Sequence, residues 1–284
     1  MNHVTSTAWP VVLSVAGFDP SAGAGIVADL KTFAAHNCYG VAAITALTVQ
    51  NSQGVASVHP VEPLQLKNTI LSLLADGRVK AIKIGMLCNQ PTAEVVCEIL
   101  SANPQLPSVL DPVVRSSNEF DLLNAAGVDY VRRELLSRVT VVTPNLAEAG
   151  ALAGIPVDSL DSMKAAARKL VEMGAHAVVV TGGHLEKAID VFLSGTTLES
   201  FAGDHVKPDN THGTGCTFSS AVAANLALGR HLRDAVVLAK AYVLEAIRRA
   251  FPIGPGRIPL HHLYRMAQPT RLSDHSPEVP EPVH

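Results

Sequence analysis

The sequence predicts an α/β fold in which helices cover a mostly parallel β-sheet. Short β-rich runs alternate with helical stretches, and several runs end on a glycine or on a polar residue beside proline. The chain has 284 residues, of which 48% are hydrophobic, so it can bury a large core. Because no linker separates two halves, we expect one large domain over residues 1–266 and a disordered, proline-rich tail over residues 267–284.

Charge and composition narrow the classes of function. The chain has 22 basic and 25 acidic side chains, a formal net charge of −3 and only 4% aromatic residues. We expect no nucleic-acid partner, because nucleic acids are bound by basic or stacking surfaces. No signal-like N-terminus and no apolar run of membrane-spanning length is present, so we expect a cytoplasmic protein with no membrane partner. Four scattered cysteines predict reduced thiols rather than a zinc site or disulfides.

The first β-rich run, residues 11–16, is followed by a glycine-rich loop and by a helical pattern up to residue 35. This order is the first half of a βα unit, in which ligands collect at the carboxyl end of the strand. The loop is longer than that of a dinucleotide-binding fingerprint, so we expect no Rossmann cofactor site. Asp19 and Asp29 each fit two roles. One is a contact with a substrate hydroxyl, and the other is that of a helix cap or a residue on a solvated face.

The same alternation continues along the chain. Further β-rich runs are predicted over residues 41–49, 55–58, 81–86, 108–114, 139–145 and 177–184. Helices are predicted over residues 60–74, 92–100, 162–173 and 234–251, and a hairpin joins residues 190–193 to residues 199–202. Met86, at the carboxyl end of its run, fits either core filling or a ligand contact. Polar residues at the ends of the runs are expected to gather at one edge of the sheet.

Residues 210–220 carry the clearest chemical signal in the chain. Gly213 and Gly215 bracket a threonine, a strand-like segment precedes them, and an alanine-rich helical pattern follows as far as residue 228. Glycine lets the backbone approach a ligand, and the first amides of a helix have no partner within the helix. We therefore expect a phosphate site here. An added Cβ at either glycine is expected to remove turnover while folding survives.

Two further groups of candidate site residues each have two interpretations. Cys216 lies at the start of the same helix, where the helix dipole can lower a thiol pKa from roughly 8.5 and make the thiolate a proton acceptor. The alternative is a small buried cysteine that packs the helix start. Asn145 and Glu148 fit a helix cap and a pair that holds water and magnesium near a phosphate equally well.

Six motifs in one order carry a resemblance to a known family. They are residues 17–25 (GFDPSAGAG), 50–51 (QN), 83–87 (KIGML), 143–148 (TPNLAE), 182–184 (GGH) and 211–216 (THGTGC). With them the chain resembles the hydroxymethylpyrimidine/phosphomethylpyrimidine kinases of thiamine synthesis, which belong to the ribokinase-like superfamily, from about residue 11 to residue 262. The resemblance implies a three-layer αβα sandwich with a small β lid. It also implies ATP- and Mg²⁺-dependent phosphorylation of a pyrimidine alcohol and then of its monophosphate, and we expect a homodimer.

The resemblance implies roles for particular residues. The expected catalytic residues are Gly213, Thr214, Gly215 and Cys216, the last of which stands where sugar-kinase relatives have an aspartate base. The expected substrate-binding residues are Gly17, Asp29, Gln50, Met86 and Val113. The expected nucleotide-binding residues are Asp111, Asn145, Thr181, Gly183, Thr211 and Lys240, and Asn145 with Glu148 is expected to position the metal. Residues 115–120 depart from the family pattern, so the flap over the nucleotide is expected to differ. Thr181 stands where the family commonly has a lysine, so one nucleotide phosphate contact is expected to differ as well.

Two other functions compete with this one. A pyridoxal-type kinase is the nearest alternative, because the pyridoxal ring also bears a hydroxymethyl group. A non-catalytic, pyrimidine-binding regulator of the same fold is the second, and the intact Gly213, Gly215 and Cys216 argue against it. An assay of ATP consumption with both aromatic alcohols separates the three.

Overall fold

A computed structural model of the protein describes residues 9–116, 120–183, 188–203, 206 and 210–266. The predicted disordered tail, residues 267–284, lies outside the described residues. So do His184 of the GGH motif and residues 117–119 of the predicted flap. The fold below refers to the described part of the chain.

Within the described residues, nine strands form one sheet in the order β3-β2-β1-β4-β5-β6-β7-β8-β9. The strands are β1 (Val11–Phe18), β2 (Tyr39–Asn51), β3 (Gly54–Pro60), β4 (Val79–Ile84), β5 (Ser108–Leu110), β6 (Val141–Val142), β7 (Ala177–Val180), β8 (Ala188–Ser194) and β9 (Thr197–Gly203). Strands β2, β1 and β4 to β7 run parallel, whereas β3, β8 and β9 pair with their neighbours antiparallel. The central strands are almost wholly apolar and buried, as is typical of a parallel sheet covered on both faces.

Helices lie on both faces of the sheet. They are α1 (Gly25–Ala35), α2 (Pro63–Ala75), α3 (Gln90–Ala102), α4 (Ala125–Tyr130), α5 (Leu146–Ala153), α6 (Leu160–Glu172), α7 (Thr214–Ala227) and α8 (Leu232–Arg248). A π-helix (Val131–Leu135) and a 3₁₀ turn (Leu136–Arg138) follow α4, and two short strands, β10 (Thr211–His212) and β11 (Ile258–Pro259), pair outside the main sheet. None of the helices in the described part has the length and hydropathy that a bilayer-spanning segment needs.

Alternate residues of the strands feed two separate cores. In β1, Leu13 faces a core that includes residues of α2, α3, α5 and α6, whereas Val12 faces a core built with α1, α7 and α8. Helix α7 is buried on every side, since residues 217–225 are all buried, and its alanine-rich composition permits this close packing. The predicted three-layer αβα sandwich is confirmed.

Several element boundaries differ from the sequence-based expectations. The run over residues 139–145 contains only the two-residue strand β6, because the chain leaves the sheet once it reaches the polar edge. Helix α2 starts at Pro63 rather than at residue 60, with proline in its first turn, where the missing N–H costs nothing. The pairing of β1 with β2 ends at Phe18 and Leu47, so the last part of β2 pairs with β3 alone as a two-stranded extension.

Candidate active site

The carboxyl ends of the parallel strands meet at one edge of the sheet, and the predicted polar residues collect there. The backbone amide of Asp111 donates to the carbonyl of Ile84, and the amide of Thr181 donates to the carbonyl of Pro144. Asn145 and Thr181 also form an isolated parallel bridge. Helix α7 begins at this edge, so the predicted anion loop and the polar strand ends form one site.

The anion loop places backbone amides at the start of a long buried helix. Gly213 is the N-cap residue and has a left-handed φ of +82°. The first helical hydrogen bond runs from the Thr217 amide to the Gly213 carbonyl, so the amides of Thr214, Gly215 and Cys216 precede the helical ladder. No described side chain caps this start. These amides and the positive end of the helix dipole are therefore available to an anion.

The two glycine-rich loops of the chain pack directly against each other. A Cβ added at Gly213 would lie 1.9 Å from the carbonyl oxygen of Gly23, and one added at Gly25 would lie 2.3 Å from that of Gly17. At Gly215 the nearest atom is Oδ1 of Asp111, at 3.6 Å, which is an ordinary contact distance. The expectation that folding survives at both anion-loop glycines is therefore wrong for Gly213, because a neighbouring backbone occupies the space.

Asp19 joins the two loops. Its carboxylate accepts hydrogen bonds from the Ser21 amide at 2.7 Å and the Ala24 amide at 2.8 Å, and it lies 3.1 Å from Nε2 of His212. Although burial alone favours the neutral acid, the hydrogen bonds from His212, Ser21 and the Ala24 amide hold the pKa of Asp19 below its usual range. Of the two roles left open for Asp19, the structure shows the cap of a turn.

Cys216 has a different electrostatic setting from the one predicted. Cys216 is half-buried, and its thiol is influenced by the charges of Lys83, Asp111 and Asp29 and by the Gly25 amide. Burial raises the pKa of the thiol well above its usual range, and although the Lys83 ammonium pulls it down, Asp111 and Asp29 raise it further. The expected lowering is therefore wrong, because desolvation and two carboxylates outweigh the helix dipole and the ammonium.

Asp29 does not face the cleft. It is 0% exposed, and its carboxylate accepts hydrogen bonds from Ser14, Ser220 and the ammonium of Lys83. The predicted direct contact with substrate is thus corrected, because the carboxylate is enclosed and fully bonded beneath the anion loop. Asp111, 3% exposed, lies beside the same ammonium.

Asn145 and Glu148 form a capping box at the start of α5. Oδ1 of Asn145 accepts from the Glu148 amide at 2.9 Å, and Oε2 of Glu148 accepts from the Asn145 amide at 2.9 Å. Burial, with the nearby charge of Asp111, raises the pKa of Glu148 to about 8. Among the described residues no cluster of three or more metal-ligating side chains occurs. The residues present fit Mg²⁺, because a cation would offset the repulsion between the Glu148 and Asp111 carboxyls, and Mg²⁺ keeps most of its waters and needs few protein ligands.

Three predicted substrate-binding residues lie together. Met86 is part of a small apolar cluster with Ala46 and Leu122, and Val113 packs against it. The space above Gly17 is filled by the Met86 side chain, whose Cε lies 2.3 Å from the position of an added Cβ. The arrangement gives an apolar wall beside the polar edge, which suits one face of an aromatic ring.

Gln50, which is also a predicted substrate-binding residue, is half-buried near the end of β2. It lines an open cleft of about 490 Å³ together with Pro20, Ser21 and residues 253–255. The cleft borders the loop that Asp19 caps. Gln50 can therefore reach a ligand held against that loop.

The predicted nucleotide-binding residues divide into two groups. Thr181 adjoins Asn145, no atom of the described residues lies within 4 Å of a Cβ added at Gly183, and Oγ1 of Thr211 lies 3.1 Å from Oγ1 of Thr214. These residues share the edge with the anion loop.

Lys240 stands apart from them. Its ammonium donates to Oδ2 of Asp190 at 2.7 Å and to the Ala188 carbonyl at 3.0 Å, and Asp190 also accepts from the Gly182 amide. Lys240 is therefore committed to an ion pair in this structure rather than free to meet a phosphate.

His212 and Lys83 belong to the site but receive no role from the sequence. Both stand inside the motifs quoted above, THGTGC and KIGML. A lysine within a run predicted to be a buried strand was the available signal for a buried ion pair, since buried lysines are almost always paired.

Comparison with known proteins places this chain among kinases. The sequence profile of a family described as phosphomethylpyrimidine kinase matches residues 19–261. The chain is 40% identical over 248 residues to the hydroxymethylpyrimidine/phosphomethylpyrimidine kinase of Aquifex aeolicus, covering 87% of this chain and 97% of that protein. It is 38% identical over 254 residues to the thiamine biosynthesis bifunctional protein ThiED of Geobacter sulfurreducens, covering 89% of this chain and 52% of that one. The structure of the pyridoxal kinase from Staphylococcus aureus in complex with AMP-PCP matches with a TM-score of 0.84 and 34% identity, covering 91% and 95% of the two chains.

Proposed function

Because the chain belongs to the phosphomethylpyrimidine kinase family and is a kinase of thiamine biosynthesis that uses ATP, we propose that a single site performs two successive phosphorylations. The first acceptor is 4-amino-5-hydroxymethyl-2-methylpyrimidine, and the second is its monophosphate. The observation that carries the proposal is the start of α7, where backbone amides that precede the helical ladder lie beside the thiol of Cys216.

The geometry suits phosphoryl transfer, in which positioning and charge stabilisation dominate. The amides of Thr214, Gly215 and Cys216 stabilise the transferring phosphoryl group. In the first reaction the thiolate of Cys216 takes the proton of the primary hydroxyl, the hydroxyl oxygen bonds to the γ-phosphorus, and the bond from that phosphorus to the bridging oxygen of ADP breaks. The thiol returns the proton to solvent. In the second reaction the acceptor phosphate is already ionised near neutral pH and needs no base.

The substrate contacts are proposed on the placement of the side chains. Gln50 reads the aminopyrimidine edge, because its amide can donate and accept at once. Gly17, Met86 and Val113 form the apolar wall against the ring, and the contiguity of these three residues supports the assignment.

The nucleotide and metal contacts rest on the polar edge. Mg²⁺, when bound, neutralises phosphate charge, and Glu148 with Asn145 would hold it through water. Nucleotide contacts are proposed for Asp111, Asn145, Thr181, Gly183, Thr211 and Lys240. Lys240 can make its contact only by leaving Asp190. Titration with MgATP of a Glu148→Gln variant, whose side chain can keep the cap, tests the metal role: unchanged Mg²⁺ dependence contradicts it.

We also propose a homodimer in the cytoplasm, where ATP is available. Leu47 and Val49, on the extension of β2 that pairs with β3 alone, are 50% and 57% exposed, and such apolar residues favour burial against a second copy. Light scattering coupled to size-exclusion chromatography measures the mass, and a monomer at micromolar concentration contradicts the dimer. Fractionation of cells tests the location.

The substrate assignment competes with a pyridoxal kinase, because solved structures of that name match this chain closely. ADP release should be measured with three acceptors: the pyrimidine alcohol, its monophosphate and pyridoxal. We expect the highest kcat/KM with the pyrimidine alcohol and measurable turnover of the monophosphate. Turnover with pyridoxal alone would establish the competing function, and no ADP release with any acceptor would indicate a non-catalytic binding protein.

A further inference from the structure

Lys83 is a buried charge for which the proposed mechanism has no use so far. It lies in β4, its side chain is 0% exposed, and its Nζ lies 3.0 Å from both carboxylate oxygens of Asp29. The same Nζ lies 3.9 Å from Oδ2 of Asp111. Burying an ammonium is costly unless it is paired, and a neutral residue of similar volume is often as stabilising as a buried ion pair. Stability alone therefore does not explain why Lys83 carries a charge at this position.

The lysine joins four elements of the fold. Asp29 belongs to α1 and is held by Ser14 of β1 at 2.6 Å and by Ser220 of α7 at 2.7 Å. Asp111 follows β5 and accepts a hydrogen bond at 3.4 Å from Ser219 of α7. Ser219 and Ser220 lie one turn after the anion loop. The cluster thus ties the start of α7 to the sheet beneath it.

The ammonium also lies directly under the site. A Cβ added at Gly85 would lie 2.8 Å from its Nζ, and Oδ1 of Asp111 faces Gly215 of the anion loop. Asp111 thus links the ammonium to the residue beside Cys216, and the charges of Lys83, Asp111 and Asp29 all act on the Cys216 thiol. Of these charges only Lys83 favours a thiolate at Cys216 or an anion above it. Without Lys83, the charges of two buried carboxylates beneath the anion loop would be left without an opposing cation.

We propose that Lys83 is a positioning residue for phosphoryl transfer, whose fixed charge offsets Asp29 and Asp111 and so keeps Cys216 able to ionise beneath the anion loop. This inference rests on the proposed function, because it assigns Lys83 to the reaction in which Cys216 takes a proton. Lys83 acts through Cys216 and Asp111 and touches neither substrate.

The groups whose charge or dipole acts on the Cys216 thiol set the direction of each variant. They are Lys83 on β4, Asp29 on α1, Asp111 after β5 and the Gly25 amide. Removing the ammonium raises the pKa of the thiol, and removing the Asp29 charge while the ammonium stays lowers it. A purely structural ion pair predicts no such opposite effects, because both single variants would only loosen the fold.

The test compares Lys83→Met, Asp29→Asn and the double variant. Alkylation of Cys216 by iodoacetamide is followed against pH, with peptide mass spectrometry to separate Cys216 from the other cysteines, alongside Tm and both phosphorylation rates. Lys83→Met should slow alkylation at pH 8 about tenfold or more, as for one unit of pKa, and slow the first phosphorylation more than the second. Asp29→Asn should speed alkylation at the same pH, and it decides the question even if Lys83→Met fails to fold.

The double variant separates charge from stability. It should recover most of the Tm that Lys83→Met loses, because Asp29 no longer carries an unpaired charge, and still alkylate more slowly than the parent, because Asp111 is left without the ammonium. Parental alkylation in the double variant, or no acceleration in Asp29→Asn, would overturn the proposal. Lys67→Met, which breaks an exposed pair with Glu98, is the control and should change neither rate. If Cys216→Ala leaves the first phosphorylation intact, the proposed base is wrong, while the alkylation profiles still decide the role of Lys83.

Discussion

Gln50 is the single side chain on which recognition of the aminopyrimidine is proposed to depend. It lines the cleft beside the Asp19 loop, and a primary amide can pair with an exocyclic amine and a ring nitrogen together. Gln50→Ala should raise KM for the pyrimidine by roughly tenfold, the scale of one lost hydrogen bond, and leave KM for ATP nearly unchanged. Gln53→Ala, an exposed glutamine on the same cleft, is the matched control. Equal changes in both KM values would show that Gln50 supports the loop instead.

Individual residues are also where the sequence is least informative. The thiol of Cys216 is predicted to be acidic from its place at a helix start, yet its pKa depends on burial and on Lys83, Asp111 and Asp29, which are distant in sequence. The pair of Asp19 with His212 joins residues 193 positions apart. Such contacts arise only when the fold is assembled, so local patterns could not indicate them.

At the scale of elements, the start of α7 combines two glycines with different functions. Gly213 has a left-handed φ and packs against the Gly23 carbonyl, whereas Gly215 has room for a Cβ. Gly215→Ala should keep the parental Tm and lose turnover, because its methyl group occupies the space of the phosphate. Gly213→Ala should lose both.

A third variant separates backbone strain from the clash. Gly229 also has a positive φ, +79°, but nothing lies near its added Cβ. Gly229→Ala should cost about 1–2 kcal/mol from the left-handed backbone alone, less than Gly213→Ala, and should keep its turnover. Thermal unfolding and ADP release on the same preparations measure both quantities. Turnover of Gly215→Ala within about a factor of two of the parent would contradict the anion-hole assignment.

The order of the elements was predictable, because hydrophobic periodicity is a local property of the chain. The hairpin of β8 and β9 and the helices α3, α6 and α8 were expected from the sequence to within a few residues. The length of strand β6 was overestimated because a pattern of residue types does not mark where residues 139–145 leave the sheet. Lys83 interrupts an apolar strand, and only the tertiary structure shows that Asp29 pairs with it.

At the scale of the molecule, the three layers bring the ends of the six parallel strands and the start of α7 to one edge. This placement explains why the motifs, spread over some two hundred residues of the sequence, form one site. Resemblance to a known family predicted that site better than spacing did. It misplaced Asp29 and gave no warning of the Lys240–Asp190 pair, since both depend on packing in this chain.

The central claim is that one anion site performs both phosphorylations and that Cys216 serves as a base in the first alone. The most direct measurement is the rate of each reaction, against pH, in the parent and in Cys216→Ala. The first reaction should slow by roughly 100- to 10,000-fold, as for a lost general base, and the second by less than about tenfold. Since burial raises the pKa of Cys216, the thiolate fraction grows with pH, and the parental first rate should still be rising at about pH 8.5. Equal losses in both reactions, together with a lowered Tm, would contradict the claim and show that the cysteine only packs the helix start.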